Sequence, residues 1–120
     1  MSMYFRFEDL EIWKEAIRIS IMLLDLADEL EEKKLWRFVD QLRGVGMSIP
    51  NNIAESTGTN MVGEQRMLLR VSKRECFEAA NILVILEIKK LIGKEFKEST
   101  YYRLYIHSKR IQKYSDSLNE

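Results

Sequence analysis

Proline, cysteine and histidine each occur once in the 120 residues of this chain. A lone cysteine, Cys76, excludes an intramolecular disulfide framework. Together with the single histidine, His107, it cannot furnish a zinc site built from the usual nitrogen and sulfur ligands. No acid-x-x-His pair is present for a di-iron bundle. Glycine is sparse and scattered, at positions 44, 46, 58, 63 and 93, so no phosphate-cradling loop can be assembled from it. No apolar run approaches the roughly 20 residues that a membrane-spanning helix needs. The opening Met-Ser-Met-Tyr-Phe-Arg lacks a cationic segment followed by an apolar stretch, and a cytoplasmic, soluble protein with no membrane partner is expected. Nor is there a charge excess: 19 basic and 19 acidic residues cancel. Indiscriminate nucleic-acid binding, which draws on phosphate neutralisation, is therefore disfavoured. With no catalytic constellation and no cofactor signature, an enzyme is not the expected class.

What is there is helix periodicity. With 46% hydrophobic residues, the chain has room for one domain, residues 1–120, and one modest core. Asp9 is expected to cap a first helix whose seam is Trp13, Ile17, Ser20, Leu24 and Ala27. Leu10, Ala16, Ile21, Leu23 and Leu30 broaden that seam beyond a narrow stripe, as in a helix covered on more than one side. Glu31-Glu32-Lys33-Lys34 reads as a short turn, and Trp36, Arg37 and Phe38 launch the second helix. Ser56-Thr57-Gly58-Thr59-Asn60 reads as a loop, with Gly58 free to take positive φ and Asn60 placed to cap the third helix. That helix is expected over Val62 to Ile92, stopped by Gly93, with Leu68, Ser72, Cys76, Ala79, Leu83 and Leu86 on one face. Cys76 is a small core residue in this reading. Glu95 to Ser99 forms the last connection, and a fourth helix turns Tyr101, Leu104, Tyr105, Ile111, Tyr114 and Leu118 inward or across an interface.

The only proline, Pro50, lies within the second pattern. Leu35, Val39, Leu42, Gly46, Ile49 and Ile53 follow one another at spacings of four, three, four, three and four, and the register does not slip at the proline. Pro50 removes the bond to the carbonyl of Gly46 and crowds it, but glycine lets the backbone yield there. One kinked helix is expected; the rival reading makes Ser48 an N-cap and starts a new helix at Pro50. Ser48, Asn51, Asn52 and Glu55 are polar residues beside the bend. Their structural reading is satisfaction of the bend and its packing; their functional reading is a pocket.

The order Phe7-Glu8-Asp9-Leu10-Glu11-Ile12-Trp13-Lys14, Gln41-Leu42-Arg43 and Ser48-Ile49-Pro50-Asn51-Asn52-Ile53-Ala54-Glu55 resembles the proteins encoded in intervening sequences of bacterial 23S ribosomal RNA genes. That family includes the accessory variability protein of diversity-generating retroelements. The resemblance covers nearly the whole chain. It implies an up-down, all-α four-helix bundle assembling as a homopentamer, in a family some of whose members bind nucleic acid and a reverse transcriptase. This sequence departs from the family pattern in three places. Ser56 stands for a glycine and Thr59-Asn60 for a nearby arginine; Met61 stands for a capping serine or threonine; Arg74-Glu75 stands for a Gly-Ser pair.

Charge is unevenly spread: residues 1–40 hold 6 bases and 10 acids, and residues 41–120 hold 13 and 9. Arg66, Arg70 and Arg74 recur every four residues with Lys73 beside them, and Arg103, Lys109, Arg110 and Lys113 lie in the fourth helix. Two roles compete for these residues. In the first, the bundle is a non-enzymatic homo-oligomeric scaffold or accessory subunit, and the arginines pair with Asp25, Asp28, Glu29, Glu31 and Glu32 of a neighbour. In the second, the eight basic residues form a nucleic-acid-binding face for RNA or DNA.

Overall fold

The computed structural model describes residues 3–119. A 3-10 turn over Arg6–Asp9 leads into four helices: α1 Glu11–Glu32, α2 Trp36–Ser56, α3 Val62–Ile88 and α4 Lys94–Asp116. No strand forms among the described residues. Each helix packs along its successor, and α4 closes more loosely on α1, as short connections between antiparallel helices require.

The core follows the apolar periodicity, with one shift of register. In α2 the expected seam is the buried one: Val39, Leu42, Gly46, Ile49 and Ile53, with Leu35 half-buried at the N-cap. In α1 the buried line is Ile12, Ala16, Ile19, Leu23, Leu26 and Leu30, joined by Ser20 and Ala27. Trp13, Ile17 and Leu24 sit at its half-buried edge, so the expected seam is displaced by about one residue. The close approach of α2 decides this: a Cβ on Gly46 would lie 3.5 Å from Leu23 Cβ and 3.6 Å from the Ser20 carbonyl oxygen. In α3, Ser72, Cys76, Ala79, Leu83 and Leu86 are buried as expected, with Leu69 rather than the half-buried Leu68. α4 is the least apolar partner. Leu104 and Ile111 alternate with buried Thr100, His107, Ser108 and Ser115, while Tyr101 and Tyr105 face outward.

α2 is one helix through Pro50, which is buried within it; no new helix starts at Ser48. Polar side chains gather around the proline. Asn52 Nδ2 donates to the Ser48 carbonyl at 2.9 Å and to its hydroxyl at 3.0 Å, and Ser72 of α3 donates to the Ile49 carbonyl at 2.7 Å. These bonds supply partners in a stretch that lacks one backbone donor.

The ends of the helices correct several expectations. Asp9 lies in the 3-10 turn and Leu10 is the N-cap of α1, without a side-chain bond; Glu8 instead accepts from the Phe5 amide at 3.2 Å, and Phe7 packs on Trp13 with centroids 5.1 Å apart. Glu31 and Glu32 remain helical, and the chain turns at Lys33-Lys34. The Leu35 amide donates to the Leu30 carbonyl and the Lys34 amide to that of Glu31, at 3.1 and 2.9 Å, with Lys34 at φ 60°. That is a Schellman ending with lysine where glycine is usual.

α3 ends the same way. The Leu91 and Lys90 amides donate to Leu86 and Glu87 at 2.8 and 2.9 Å, and Lys90 has φ 62°. The helix therefore stops at Ile88, not Ile92. Gly93 is the N-cap of α4 instead, and Glu95 to Ser99 are helical. In the α2–α3 loop Gly58 has no positive φ, and Asn60 caps nothing. Met61 is the N-cap, without a side-chain cap bond, and the Thr59 hydroxyl braces the turn before it, accepting from the Met61 amide at 3.2 Å and donating to Glu64 at 2.8 Å.

Candidate functional site

Of the eight basic side chains expected to form a face, the structure turns four to internal tasks. Arg66 Nη2 donates to the Leu118 carbonyl at 2.9 Å and its Nε to that of Ser115 at 3.4 Å, tying α3 to the end of α4 and the residues just after it. Arg103 grips Glu15 of α1 with two bonds, Nε to Oε2 at 2.6 Å and Nη2 to Oε1 at 3.0 Å. That fork holds the Glu15 carboxyl below its ordinary range, and Glu15 in turn raises the Arg103 pKa. Lys73 Nζ donates to Gln112 at 3.0 Å, and Lys109 lies 5.2 Å over the Tyr105 ring. Arg70, Arg74, Arg110 and Lys113 remain exposed, without an ion pair among the described residues. The acidic partners are partly taken too: Arg43 reaches Asp28 at 2.9 Å and Glu31 at 3.0 Å within the same chain.

The proline motif divides. Ser48, Pro50 and Asn52 are occupied with the helix itself, while Asn51 and Glu55 are exposed. None of the five lines the apolar cleft between α3 and α4. His107 is sealed in the core, and neither ring nitrogen meets a hydrogen-bonding partner. Burial pushes its pKa down to about 4, so the imidazole is neutral at pH 7 and has no access to a substrate. Cys76 is buried, and desolvation pushes its thiol up to about 12, which leaves almost no thiolate to react. Glu75 is pushed up to about 6, first by desolvation and then by a hydrogen bond with Glu78. Among the described residues no group of three potential ligands could hold a metal, and no helix is long and apolar enough to cross a membrane.

The feature that the sequence reading did not single out is an apolar cleft of about 230 Å³ between α3 and α4. Phe77, Ala80 and Val84 line it from α3, and Tyr101, Leu104 and Tyr105 from α4. Phe77, at 61% exposure, and Tyr105, at 53%, stand at its mouth. The signal was available: Phe77, Ala80 and Val84 recur at spacings of three and four beside the core line through Cys76, Ala79 and Leu83. They form a second apolar stripe on one helix.

Neither the curated proteins nor the solved structures compared with the chain match it. The family model described as 23S rRNA-intervening sequence protein matches residues 8–113. Its span runs from the residue after Phe7, through the proline motif, to the last turn of α4. The four-helix architecture agrees with that match, and the chain belongs to the 23S rRNA-intervening sequence protein family.

Proposed function

We propose that this protein is a non-enzymatic helical subunit that associates with further copies of itself and serves as a scaffold or accessory component. The observation that carries the reading is the α3–α4 cleft, whose rim of Phe77, Tyr101 and Tyr105 leaves aromatic surface in water. Exposed aromatic side chains gathered round an apolar cleft are the kind of surface that interaction sites use. The resemblance in sequence implies five copies, and the reading adopts that number. A bend of α2 at Pro50, with neighbours shaped to it, belongs to the same proposal. Light scattering at micromolar concentrations is expected to give several times the protomer mass; a clean protomer mass refutes it.

A second reading has its own observation. Arg70, Arg74, Arg110 and Lys113 have no ion pair among the described residues, Tyr102 is exposed, and the exposed Tyr105 ring lies under Lys109. Basic side chains interleaved with aromatic ones suit single-stranded nucleic acid, which stacks on rings and pairs its phosphates with cations. Filter binding of RNA and DNA oligonucleotides over a range of salt tests it. Binding that weakens linearly in log–log form supports the reading, and no retention at low salt refutes it.

A further inference from the structure

A second cleft, of about 330 Å³, lies between the first turns of α3 and the last turns of α4. Arg66, Arg70 and Lys73 border it from α3, and Gln112, Ser115 and Asp116 from α4. Leu69 and Ile111, both buried, form its floor. Three cations thus meet round one hollow against a single carboxylate, a net charge of +2.

The bonds that hold these side chains leave their charge intact. Arg66 is bonded to the carbonyls of Ser115 and Leu118, and Lys73 to the amide oxygen of Gln112 at 3.0 Å. Those acceptors are neutral, so they fix each cation in place without cancelling it. Gln112 in turn donates to Asp116 at 2.8 Å, which keeps the carboxylate on α4. Asp116 makes no ion pair with any of the three bases, nor does any other acid among the described residues. Arg70 is exposed between the two anchored bases. Arg43 and Arg103 behave otherwise, since each is paired directly with carboxylates.

Like charges gathered round a cleft repel one another, and an apolar floor weakens the screening that water provides. An anion entering the cleft relieves that repulsion and meets donors already in position, which lowers the cost of ordering them. Arg66 also covers carbonyls at the end of α4, where the negative end of the helix would otherwise oppose an anion. The guanidinium fork of Arg70 matches the paired oxygens of a phosphate group, and Lys73 adds a compact charge beside it. Spacing narrows the class of anion. Arg66 and Lys73 are seven residues apart, a rise of roughly 10 Å, with Arg70 between them. One phosphate group sits against two of these bases; two linked groups reach along all three.

We infer that this cleft binds a small-molecule diphosphate, with one phosphate group between Arg66 and Arg70 and the other between Arg70 and Lys73. The inference does not depend on self-association. It shares Arg70 with the basic side offered above to nucleic acid, so the test separates the two.

Isothermal titration calorimetry of the whole chain with inorganic pyrophosphate at constant ionic strength tests this, and far-UV circular dichroism checks the fold of each variant. Arg70→Ala is expected to raise the Kd about tenfold or more, because bonds to charged groups are the strong kind. Arg74→Ala, one turn further along α3 and outside the cleft lining, should leave the Kd unchanged. Asp116→Asn keeps an acceptor for Gln112 and removes the opposing charge. It is expected to bind about threefold more tightly, a gain that no folding defect produces. Inorganic phosphate should bind about tenfold more weakly than pyrophosphate, having lost one set of cation contacts. Parent protein that takes up no pyrophosphate at millimolar concentration overturns the inference. So does phosphate binding as tightly as pyrophosphate, or Arg74→Ala weakening binding as much as Arg70→Ala. An RNA oligonucleotide without a terminal phosphate is the last arm. If the parent retains it, Arg70→Ala does not, and pyrophosphate fails to compete, the basic side serves nucleic acid and the inference is overturned.

Discussion

Replacing His107 with leucine should make the protein more stable, and most so in mild acid. The imidazole is fully buried, and neither nitrogen has a partner. An unpaired polar group taken from water costs about 1–3 kcal/mol, so His107→Leu is expected to gain about 1–2 kcal/mol at pH 7.5 after allowing for imperfect packing. The acid effect adds to this. Burial lowers the folded-state pKa to about 4, against an ordinary value of 6.5. Between these values the unfolded chain binds a proton that the folded chain refuses, so stability falls as pH drops through 6.5 and levels off below 4. A shift of that size corresponds to about 3 kcal/mol across the window.

Two other groups titrate nearby. Glu75, raised to about 6, works in the opposite direction, because its proton is bound more readily in the folded state and stability from it is lost as pH rises through 6. Glu15, with a lowered pKa, loses its contribution as pH falls through its folded value, below the carboxylate's ordinary 4.5. Glu75 cancels between parent and variant; Glu15 interacts with His107, but its lowered pKa keeps it ionised above about pH 5, so the difference above that pH isolates His107. Urea unfolding at fixed protomer concentration from pH 4 to 8 measures that difference. It should widen steadily on acidification from pH 6.5. A difference independent of pH, or a variant less stable than the parent at pH 7.5, refutes the assignment of His107 as a neutral, unpaired core residue.

Lys34 and Lys90 hold left-handed backbone at φ 60° and 62°; Lys34→Gly and Lys90→Gly should each gain about 0.5–1 kcal/mol, read as a higher midpoint in thermal melts, and a loss at either position refutes the Schellman endings. Gly46→Ala should be tolerated, because its Cβ would meet Leu23 and Leu24 at ordinary contact distances of 3.5 and 3.6 Å; Gly46→Leu should cost about 1–3 kcal/mol through overpacking, and equal stability of the two variants would show that α1 and α2 are not close there. Pro50→Ala restores a backbone donor; helix content by circular dichroism should hold while the assembled mass falls, and unchanged mass would remove the proline from the assembly.

The fold was legible wherever a helix carried one narrow apolar line. α2 shows this best, since Val39 to Ile53 kept register through Pro50 and is buried throughout. α1 is apolar over a wide arc, so periodicity alone could not say which line faces inward; the approach of α2 at Gly46 settled it on Leu23 and Ala16. The end of α3 was misplaced because glycine was taken as the stop signal. A better signal was present. Leu30-Glu31-Glu32-Lys33-Lys34-Leu35 and Leu86-Glu87-Ile88-Lys89-Lys90-Leu91 share the pattern Leu-Glu-x-Lys-Lys-Leu. In both, the two leucines bracket a Schellman turn whose closing amide reaches five residues back. Leu35 and Leu91 pack against the core, as the apolar residue that follows such a turn commonly does, and a lysine accepts the unfavourable φ.

The candidate surface was less legible for a different reason. Spacing along one helix states which side chains share an edge, but not what stands opposite that edge. Arg66, Arg70 and Arg74 share an edge of α3, yet Arg66 is spent on the carbonyls that close α4, so a triple charge reversal would damage the bundle before it tested any surface. Arg103 looks in sequence like one more base of α4, and it is the clip between α4 and α1. Losing it would leave Glu15, the more buried partner of the pair, without its cation, which costs more than the modest worth of an exposed ion pair. Charge that seemed available for a partner is thus divided between holding the bundle and facing water. The second share is Arg70, Arg74, Arg110 and Lys113, four of the eight bases that spacing alone had placed on one surface.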